Sequence, residues 1–164
     1  PFFCLQIVTN AYTLLRKPPL ESDAMKSEKK PNVFTLPVRV YFEDTDAGGV
    51  VYYANYLKYL ERCRTEWLRS DGHQQGELLR EASIAFVVRS ISVDYLKPAR
   101  LDDLLSVSME VERITRAQIF FRQSIRRGDE ELLTAQVQVV CVNPAQMKIV
   151  SIPTLLRTQL EAIQ

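Results

Sequence analysis

The sequence predicts an α+β domain in which one long helix is followed by an antiparallel sheet. Three observations lead to this fold class. Apolar residues recur with helical spacing between Tyr52 and Ser70, and apolar and polar residues alternate in several later segments. Gly, Pro and Asn separate those segments, as expected for turns between strands.

The first half of the chain predicts one strand and two helices. A strand spans residues 33–42, where Val38, Val40 and Phe42 alternate with polar or edge positions. The glycine pair after Ala47 predicts a turn in which the backbone can approach another group closely. The long helix over residues 52–70 follows, and a shorter helix is predicted over residues 75–81.

The second half predicts four strands and a short C-terminal helix. The strands cover residues 84–95, 105–111, 117–125 and 133–141, and the helix starts near Pro153. The alternation changes phase at Arg89-Ser90, which predicts a bulge. We expect an antiparallel meander of four strands, with the long helix lying across a curved sheet whose open edges invite pairing between subunits.

Composition excludes several classes of function. The chain has 164 residues, 46% hydrophobic and 25% charged, as expected for one globular domain. Its 21 basic and 20 acidic residues leave a net charge of +1, which gives no support for a nucleic-acid partner. No apolar run reaches the length of a membrane span. Three scattered cysteines and one histidine predict neither disulfides nor a metal site, and indicate a reducing, cytoplasmic setting.

The N-terminal segment differs from the rest of the chain. Residues 1–32 contain a short apolar run and then polar, proline-bearing sequence typical of a linker. We expect residues 1–32 to form a poorly ordered extension and residues 33–164 to form the domain. Met25 lies just before the first convincing strand, so residues 1–24 are expected to be an upstream extension of the native product.

Residues 41–56 hold the candidate site. They combine the end of a strand, an acidic turn, a glycine pair and the start of the long helix. The first N–H groups of a helix lack intrahelical partners and carry partial positive charge, so they can polarise a carbonyl or stabilise an oxyanion. A nearby carboxylate could attack that carbonyl or activate water. His73 falls where the helix ends, and a solvated C-terminal histidine is favoured over a catalytic one.

The same residues resemble a known family. The motif is Tyr41-Phe-Glu-Asp-Thr-Asp-Ala-Gly-Gly-Val-Val-Tyr-Tyr-Ala-Asn-Tyr56, followed by Glu61-Arg-Cys-Arg-Thr-Glu66. It resembles the hotdog-fold acyl-CoA thioesterases of the 4-hydroxybenzoyl-CoA thioesterase type, and most closely the branch found with the Tol–Pal cell-envelope genes. The resemblance covers about residues 33–153.

This resemblance implies a hotdog fold, in which a curved antiparallel sheet wraps a long central helix. It also implies a homodimer with one continuous sheet, or a homotetramer, and hydrolysis of acyl-CoA thioesters at the dimer interface without a cofactor. Asp46 corresponds to the family's catalytic carboxylate, and the backbone N–H of Tyr53 to its carbonyl-polarising donor. The Tol–Pal branch usually has His at the Tyr53 position, whereas the 4-hydroxybenzoyl-CoA branch has Tyr.

CoA carries phosphates, so basic residues are expected near the mouth of the site. Arg89, Lys97 and Arg100 are candidates by motif position, although each also fits a plain surface charge. Two classes of function remain open. One is a thioesterase acting on acyl-CoA or on an acylated carrier protein. The other is a non-catalytic acyl-binding or scaffold module that works with envelope or lipid-synthesis proteins. The intact Asp46-Ala-Gly-Gly49 favours the enzyme.

Overall fold

A computed structural model of the chain describes residues 32–162. The expected N-terminal extension therefore lies outside the described residues, apart from Asn32 at its end. Along the chain the elements are β1 (Phe34–Arg39), α1 (Tyr53–Ser70), α2 (Gln75–Ala82), β2 (Ala85–Tyr95), β3 (Leu104–Ile114), β4 (Gln118–Arg127), β5 (Glu130–Asn143), β6 (Lys148–Ile149) and α3 (Thr154–Ala162).

The strands form one six-stranded antiparallel sheet in the order β1-β3-β4-β5-β2, with the short β6 paired to β5. The predicted meander is correct for β3, β4 and β5 but wrong for β2, which pairs with β5 instead of β3. Alternation identifies the two faces of a strand but not its neighbour. The predicted bulge is confirmed, because the register of β2 against β5 shifts between Val88 and Ser90.

Helix α1 lies across the inner face of the sheet, which curls around it. Tyr59, Leu60 and Cys63 on this helix are fully buried. The Cys63 thiol donates to the Val107 carbonyl oxygen of β3 at 3.3 Å. Burial of each large apolar side chain contributes about 1.5–3 kcal/mol to stability, so this face fixes the helix firmly on the sheet.

The C-terminus of α1 is close to the predicted one. Gly72 adopts a left-handed φ of 85°, and the His73 N–H turns back to the Leu68 carbonyl oxygen at 3.1 Å. The prediction that His73 is solvated is wrong. Its side chain is only 21% exposed, and its Nε2 lies 3.7 Å from an Asp71 carboxylate oxygen.

Two aromatic residues before α1 also differ from expectation. Because β1 already ends at Arg39, Phe42 lies in a 3₁₀ turn and is 81% exposed, although strand alternation had placed it with Val38 and Val40. Tyr52, predicted as the first residue of the long helix, precedes the first turn of α1 and is 44% exposed. None of the helices within residues 32–162 is long and apolar enough to cross a membrane.

Candidate active site

The acidic turn folds back onto the residue that precedes α1. The Tyr52 N–H donates to the Asp44 carbonyl oxygen at 2.9 Å, and the Asp46 N–H donates to the Val50 carbonyl oxygen at 3.0 Å. Between these two bonds, Thr45 forms a bridge with Val51. The candidate carboxylate and the start of the helix therefore lie on opposite sides of one tight hairpin.

The Asp46 side chain is exposed and is oriented by the glycine turn. Its Oδ1 accepts the Gly48 N–H at 2.7 Å, which leaves Oδ2 as the oxygen available for chemistry. Gly48 also makes room for this arrangement, because a Cβ at that position would lie only 3.0 Å from Oδ1. The glycine is therefore needed for close approach, as the sequence predicts.

The N-terminus of α1 has no side-chain cap. Tyr52 makes no capping hydrogen bond, and the first turn contains no acidic residue. Most helices place Ser, Thr, Asp or Asn at this position to satisfy the free N–H groups. The N–H of Tyr53, as the first helical residue, has no intrahelical acceptor. The first turn of α1 therefore begins with an N–H group that has no intrahelical acceptor, directly after the residue bonded to the acidic turn.

Tyrosine rings flank this donor. The Tyr52 and Tyr53 ring centroids lie 4.6 Å apart, and Tyr95 of β2 meets Tyr53 edge-on at 6.5 Å. A hydrogen bond with Tyr53 raises the pKa of the Tyr52 phenol, and the negative charge of Asp46 raises that pKa further. The Tyr95 hydroxyl donates to the Tyr53 carbonyl oxygen at 3.1 Å. Aromatic side chains therefore border the space next to the carboxylate.

Hydrogen bonds join the loop that carries Lys97 and Arg100 to the start of α1. The Ala99 carbonyl oxygen accepts the Val51 N–H at 2.9 Å, and the Ala99 N–H donates to the Tyr56 hydroxyl at 2.8 Å. Both basic residues therefore lie on a segment next to the candidate site, and both are exposed.

Lys97 already has a partner within the described residues. Its Nζ lies 2.7 Å from a Glu130 carboxylate oxygen, and Arg127 bridges Glu130 to Asp103. These neighbouring cations, Lys97 first, lower the pKa of Glu130. Because the pair is exposed, it is worth little to stability and can exchange for a phosphate.

The structure does not bring Arg89 to this site within one protomer. Arg89 lies at the bulge of β2, six residues before Tyr95, which corresponds to about 20 Å along an extended strand. Its side chain is exposed on the open edge of the sheet.

A separate cavity of about 90 Å³ lies further along α1, lined by Trp67 and Phe86 among others. Its wall includes Arg64, whose guanidinium donates to the Gln123 side-chain oxygen at 2.6 Å. Burial lowers the pKa of Arg64 despite the nearby negative charge of Glu61. The cavity begins eight residues beyond the first helical residue, or about 12 Å along the helix, so it does not reach the Asp46 turn within one protomer. Among residues 32–162 there is no cluster of three or more His, Cys, Asp or Glu side chains that could hold a metal.

Two residues at the start of the site make contacts that were not predicted from the sequence. Asn55 is buried in the first turn of α1, where its amide donates to the Asp44 carbonyl oxygen. A polar side chain on an otherwise apolar helix face needs a partner, and that signal was available in the sequence. No sequence signal indicated the contact of Tyr95 with Tyr53, because it depends on where β2 lies in the sheet.

Comparison with protein families gives a match that begins at Gly48, two residues after Asp46, and includes α1. The profile of the Thioesterase superfamily matches residues 48–134. Acyl-CoA thioesterase YbgC of Haemophilus influenzae is 50% identical over 122 residues, which cover 74% of this chain and 90% of the relative. Acyl-CoA thioesterase YbgC of Helicobacter pylori is 33% identical over 134 residues, covering 76% of this chain and 98% of the relative.

Solved structures of thioesterases superimpose on the fold of this chain. A probable thioesterase from Bartonella henselae superimposes with a TM-score of 0.71 at 35% identity, covering 74% of this chain and 99% of that one. Slr0204, a 1,4-dihydroxy-2-naphthoyl-CoA thioesterase from Synechocystis, superimposes with a TM-score of 0.72 at 25% identity, covering 78% of this chain and 95% of that one.

Proposed function

The chain belongs to the Thioesterase superfamily, and on that premise we propose that the Asp46 turn and the start of α1 form its active site. The fold is the hotdog fold, and the activity is hydrolysis of an acyl-CoA thioester to the free acid and CoA. One observation supports this location of the chemistry above others. The hairpin places an exposed carboxylate beside an uncapped helix start.

In the proposed reaction, the thioester carbonyl oxygen accepts the Tyr53 N–H at the helix N-terminus. This donor, together with the helix dipole, stabilises the negative charge that develops on the oxygen as the carbonyl carbon becomes tetrahedral. The carbon–sulfur bond then breaks, and CoA leaves as the thiolate and takes up a proton. Tyr53 contributes its backbone N–H, so the departure from the His of the Tol–Pal branch does not remove the donor.

Asp46 acts at this carbonyl in one of two ways. Its free oxygen attacks directly and forms an acyl anhydride that water then hydrolyses, or it removes a proton from an attacking water molecule. Single-turnover hydrolysis in isotope-labelled water tests for the anhydride. Label in the Asp46 carboxylate follows only from an anhydride opened at the aspartyl carbon, whereas label only in the released acid follows both from general-base catalysis and from an anhydride opened at the acyl carbon.

The phosphates of CoA are proposed to contact Lys97 and Arg100. The observation behind this proposal is the bonding of their loop to the start of α1 through Ala99. The Lys97 pairing with Glu130 is exposed and can open to a competing phosphate. The basic side chains would supply affinity for CoA, and the hairpin would supply the chemistry.

We further propose a homodimer formed through β2. This strand has 11 residues and lies at the edge of the described sheet. Val87, Val88 and Ile91 on it are 42%, 49% and 38% exposed. A long, apolar edge strand is a template for pairing with another strand. Antiparallel pairing with a second β2 would continue the sheet across the dimer. It would also bring Arg89 towards the candidate site of the other protomer.

We also propose four finer assignments, which concern the compartment, the cell-envelope role, the substrate carrier and the oligomer. Cys63 and Cys141 are free buried thiols, which suits a reducing compartment such as the cytoplasm. The motif of residues 41–66 resembles the Tol–Pal branch, which favours a role with cell-envelope proteins and makes an acylated carrier protein a candidate substrate. Two such dimers could also associate as a homotetramer.

A turnover screen tests the proposed function. Purified protein is incubated with acyl-CoAs of different chain length, with an aromatic acyl-CoA and with an acylated carrier protein, and release of the thiol is measured. Turnover that depends on Asp46 supports the proposed site. Tight binding of every thioester without hydrolysis would instead indicate the acyl-binding scaffold.

A further inference from the structure

We propose that Asn55 is a positioning residue that holds the Asp46 carboxylate and the Tyr53 N–H in fixed relation through the Asp44 carbonyl group. The inference rests on the proposed function, in which those two groups act on the same thioester carbonyl. It extends that function, because Asn55 lies beneath the site and does not face the substrate.

Two donors from the start of α1 converge on one oxygen of the acidic turn. The Asn55 side-chain Nδ2 and the Tyr52 backbone N–H each donate to the Asp44 carbonyl oxygen at 2.9 Å. Asn55 and Asp44 are each only 7% exposed, so water does not compete freely for these bonds. A hydrogen bond in such surroundings is stronger than one in water, and leaving its acceptor short of partners is costly.

The rest of Asp44 is also held in place. Its carboxylate accepts the Tyr41 N–H at 2.8 Å, which ties it to the preceding segment. The phenol of Tyr59 lies below it in the core, and burial, together with the nearby Asp44 carboxylate, raises the pKa of that phenol. Asp44 therefore serves as an anchor, and its side chain is not presented to the site.

This anchor lies close to both reacting groups along the chain. Asp46 is two residues beyond Asp44, and Tyr53 is one residue beyond Tyr52. The Asn55 bond thus closes a bridge between the limb of the hairpin that carries the carboxylate and the helix that carries the donor. A misplacement of about 1 Å at a reacting group can cost on the order of 10²-fold in rate. Loss of this bridge should therefore appear in turnover.

The first test compares two variants that each remove a buried side-chain amide that donates to a backbone carbonyl oxygen, at Asp44 in one case and at Leu60 of α1 in the other. Asn55→Leu keeps the size of the side chain and removes the bond to Asp44. Gln123→Met removes the bond from Gln123, which is 1% exposed and whose Nε2 donates to the Leu60 carbonyl oxygen at 3.1 Å, further along α1. It also removes the side-chain oxygen that accepts from Arg64, so its cost in stability is at least as large. If Asn55→Leu does not fold, Asn55→Ala gives the same comparison.

We expect kcat of Asn55→Leu to fall by about 10–100-fold with KM changed by less than about threefold. Gln123→Met should keep kcat within about threefold, while its Tm falls by at least as much as that of Asn55→Leu, about 2–4 °C. Normal kcat in Asn55→Leu, or equal losses of kcat in both variants, would overturn the proposal and leave Asn55 as a stabilising residue only.

The second test combines Asn55→Leu with Asp46→Asn. If Asn55 acts by placing Asp46, its removal should matter less once the carboxylate is gone, so the two losses in kcat should be less than multiplicative. Fully multiplicative losses would overturn the positioning role. The failure of the proposed function is distinguishable, because Asp46→Asn alone would then retain wild-type turnover. Loss of turnover in Asp46→Asn with normal kcat in Asn55→Leu would overturn only the role of Asn55.

Discussion

Replacement of Gly48 by Ala tests how closely the turn controls the reactive carboxylate. A Cβ at this position would lie 3.0 Å from Asp46 Oδ1, whereas ordinary contacts begin at 3.4 Å. The carboxylate must therefore move by about 0.4 Å or the turn must open by that amount. The hydrogen bond from the Gly48 N–H, now 2.7 Å, would be distorted by the same movement.

The expected size of the effect follows from that displacement. If a misplacement of 1 Å costs about 10²-fold, or about 2.7 kcal/mol in the barrier, then 0.4 Å in proportion costs about 1.1 kcal/mol. We therefore expect kcat of Gly48→Ala to fall about sixfold. Steady-state release of CoA with a saturating acyl-CoA measures it directly, and Tm shows whether the fold is retained.

Gly49→Ala is the matched control, because its cost is of another kind. Gly49 has a φ of 70°, and a Cβ there would meet nothing within 4 Å. Alanine at a left-handed φ costs about 1 kcal/mol of stability but does not displace the carboxylate. Gly48→Ala should therefore be the slower enzyme and Gly49→Ala the less stable protein. Unchanged kcat in Gly48→Ala, or a larger loss of kcat in Gly49→Ala, would refute this account of the turn.

Three further predictions concern the donor, the dimer and the thiols. Tyr53→Phe keeps the backbone N–H and should retain turnover within about tenfold, whereas a folded Tyr53→Pro should lose about 10²–10³-fold; the reverse order would make the phenol the catalytic group. Val87→Glu places like charges across a paired β2 edge and should shift the protein to monomers in light scattering, whereas Leu155→Glu, on the exposed side of α3, should not; an unchanged dimer in Val87→Glu would exclude this edge. Burial raises the pKa of Cys63 to about 12 and that of Cys141 to about 11. In a variant that lacks Cys4, neither thiol should therefore react with a disulfide reagent at pH 8 until the protein unfolds. Because both thiols ionise more readily in the unfolded chain, the free energy of unfolding should fall as pH rises from about 9 towards 11, and a flat profile would contradict their burial.

The local elements could be predicted from the sequence because their causes are local. Helical periodicity and Gly72 gave α1 to within one residue at its start, and the phase change at Arg89-Ser90 gave the bulge of β2. The pairing of β2 with β5 could not be predicted, because it depends on how the 96–103 connection crosses the sheet.

The candidate site also has a part that could be predicted from the sequence and a part that could not. The acidic turn and the helix start adjoin in sequence, so the pairing of Asp46 with Tyr53 could be predicted from residue type and motif, and their roles remain predictions. The bonds that join the two limbs involve side chains brought together by packing. Asn55 reaches across the hairpin, and Tyr95 comes from a strand more than forty residues away. Periodicity carries no information about such contacts.

Turnover of Asp46→Asn tests the central claim most directly. The amide keeps the shape of the side chain and an oxygen that can accept the Gly48 N–H, but it can neither attack a thioester nor take a proton from water. Asp129→Asn, at the exposed β4–β5 turn, is the control for loss of a single negative charge. We predict that Asp46→Asn keeps the Tm and the affinity for CoA of the wild type and loses about 10²–10⁴-fold in kcat, while Asp129→Asn keeps its activity. Hydrolysis of acyl-CoA by Asp46→Asn at the wild-type rate would contradict the account.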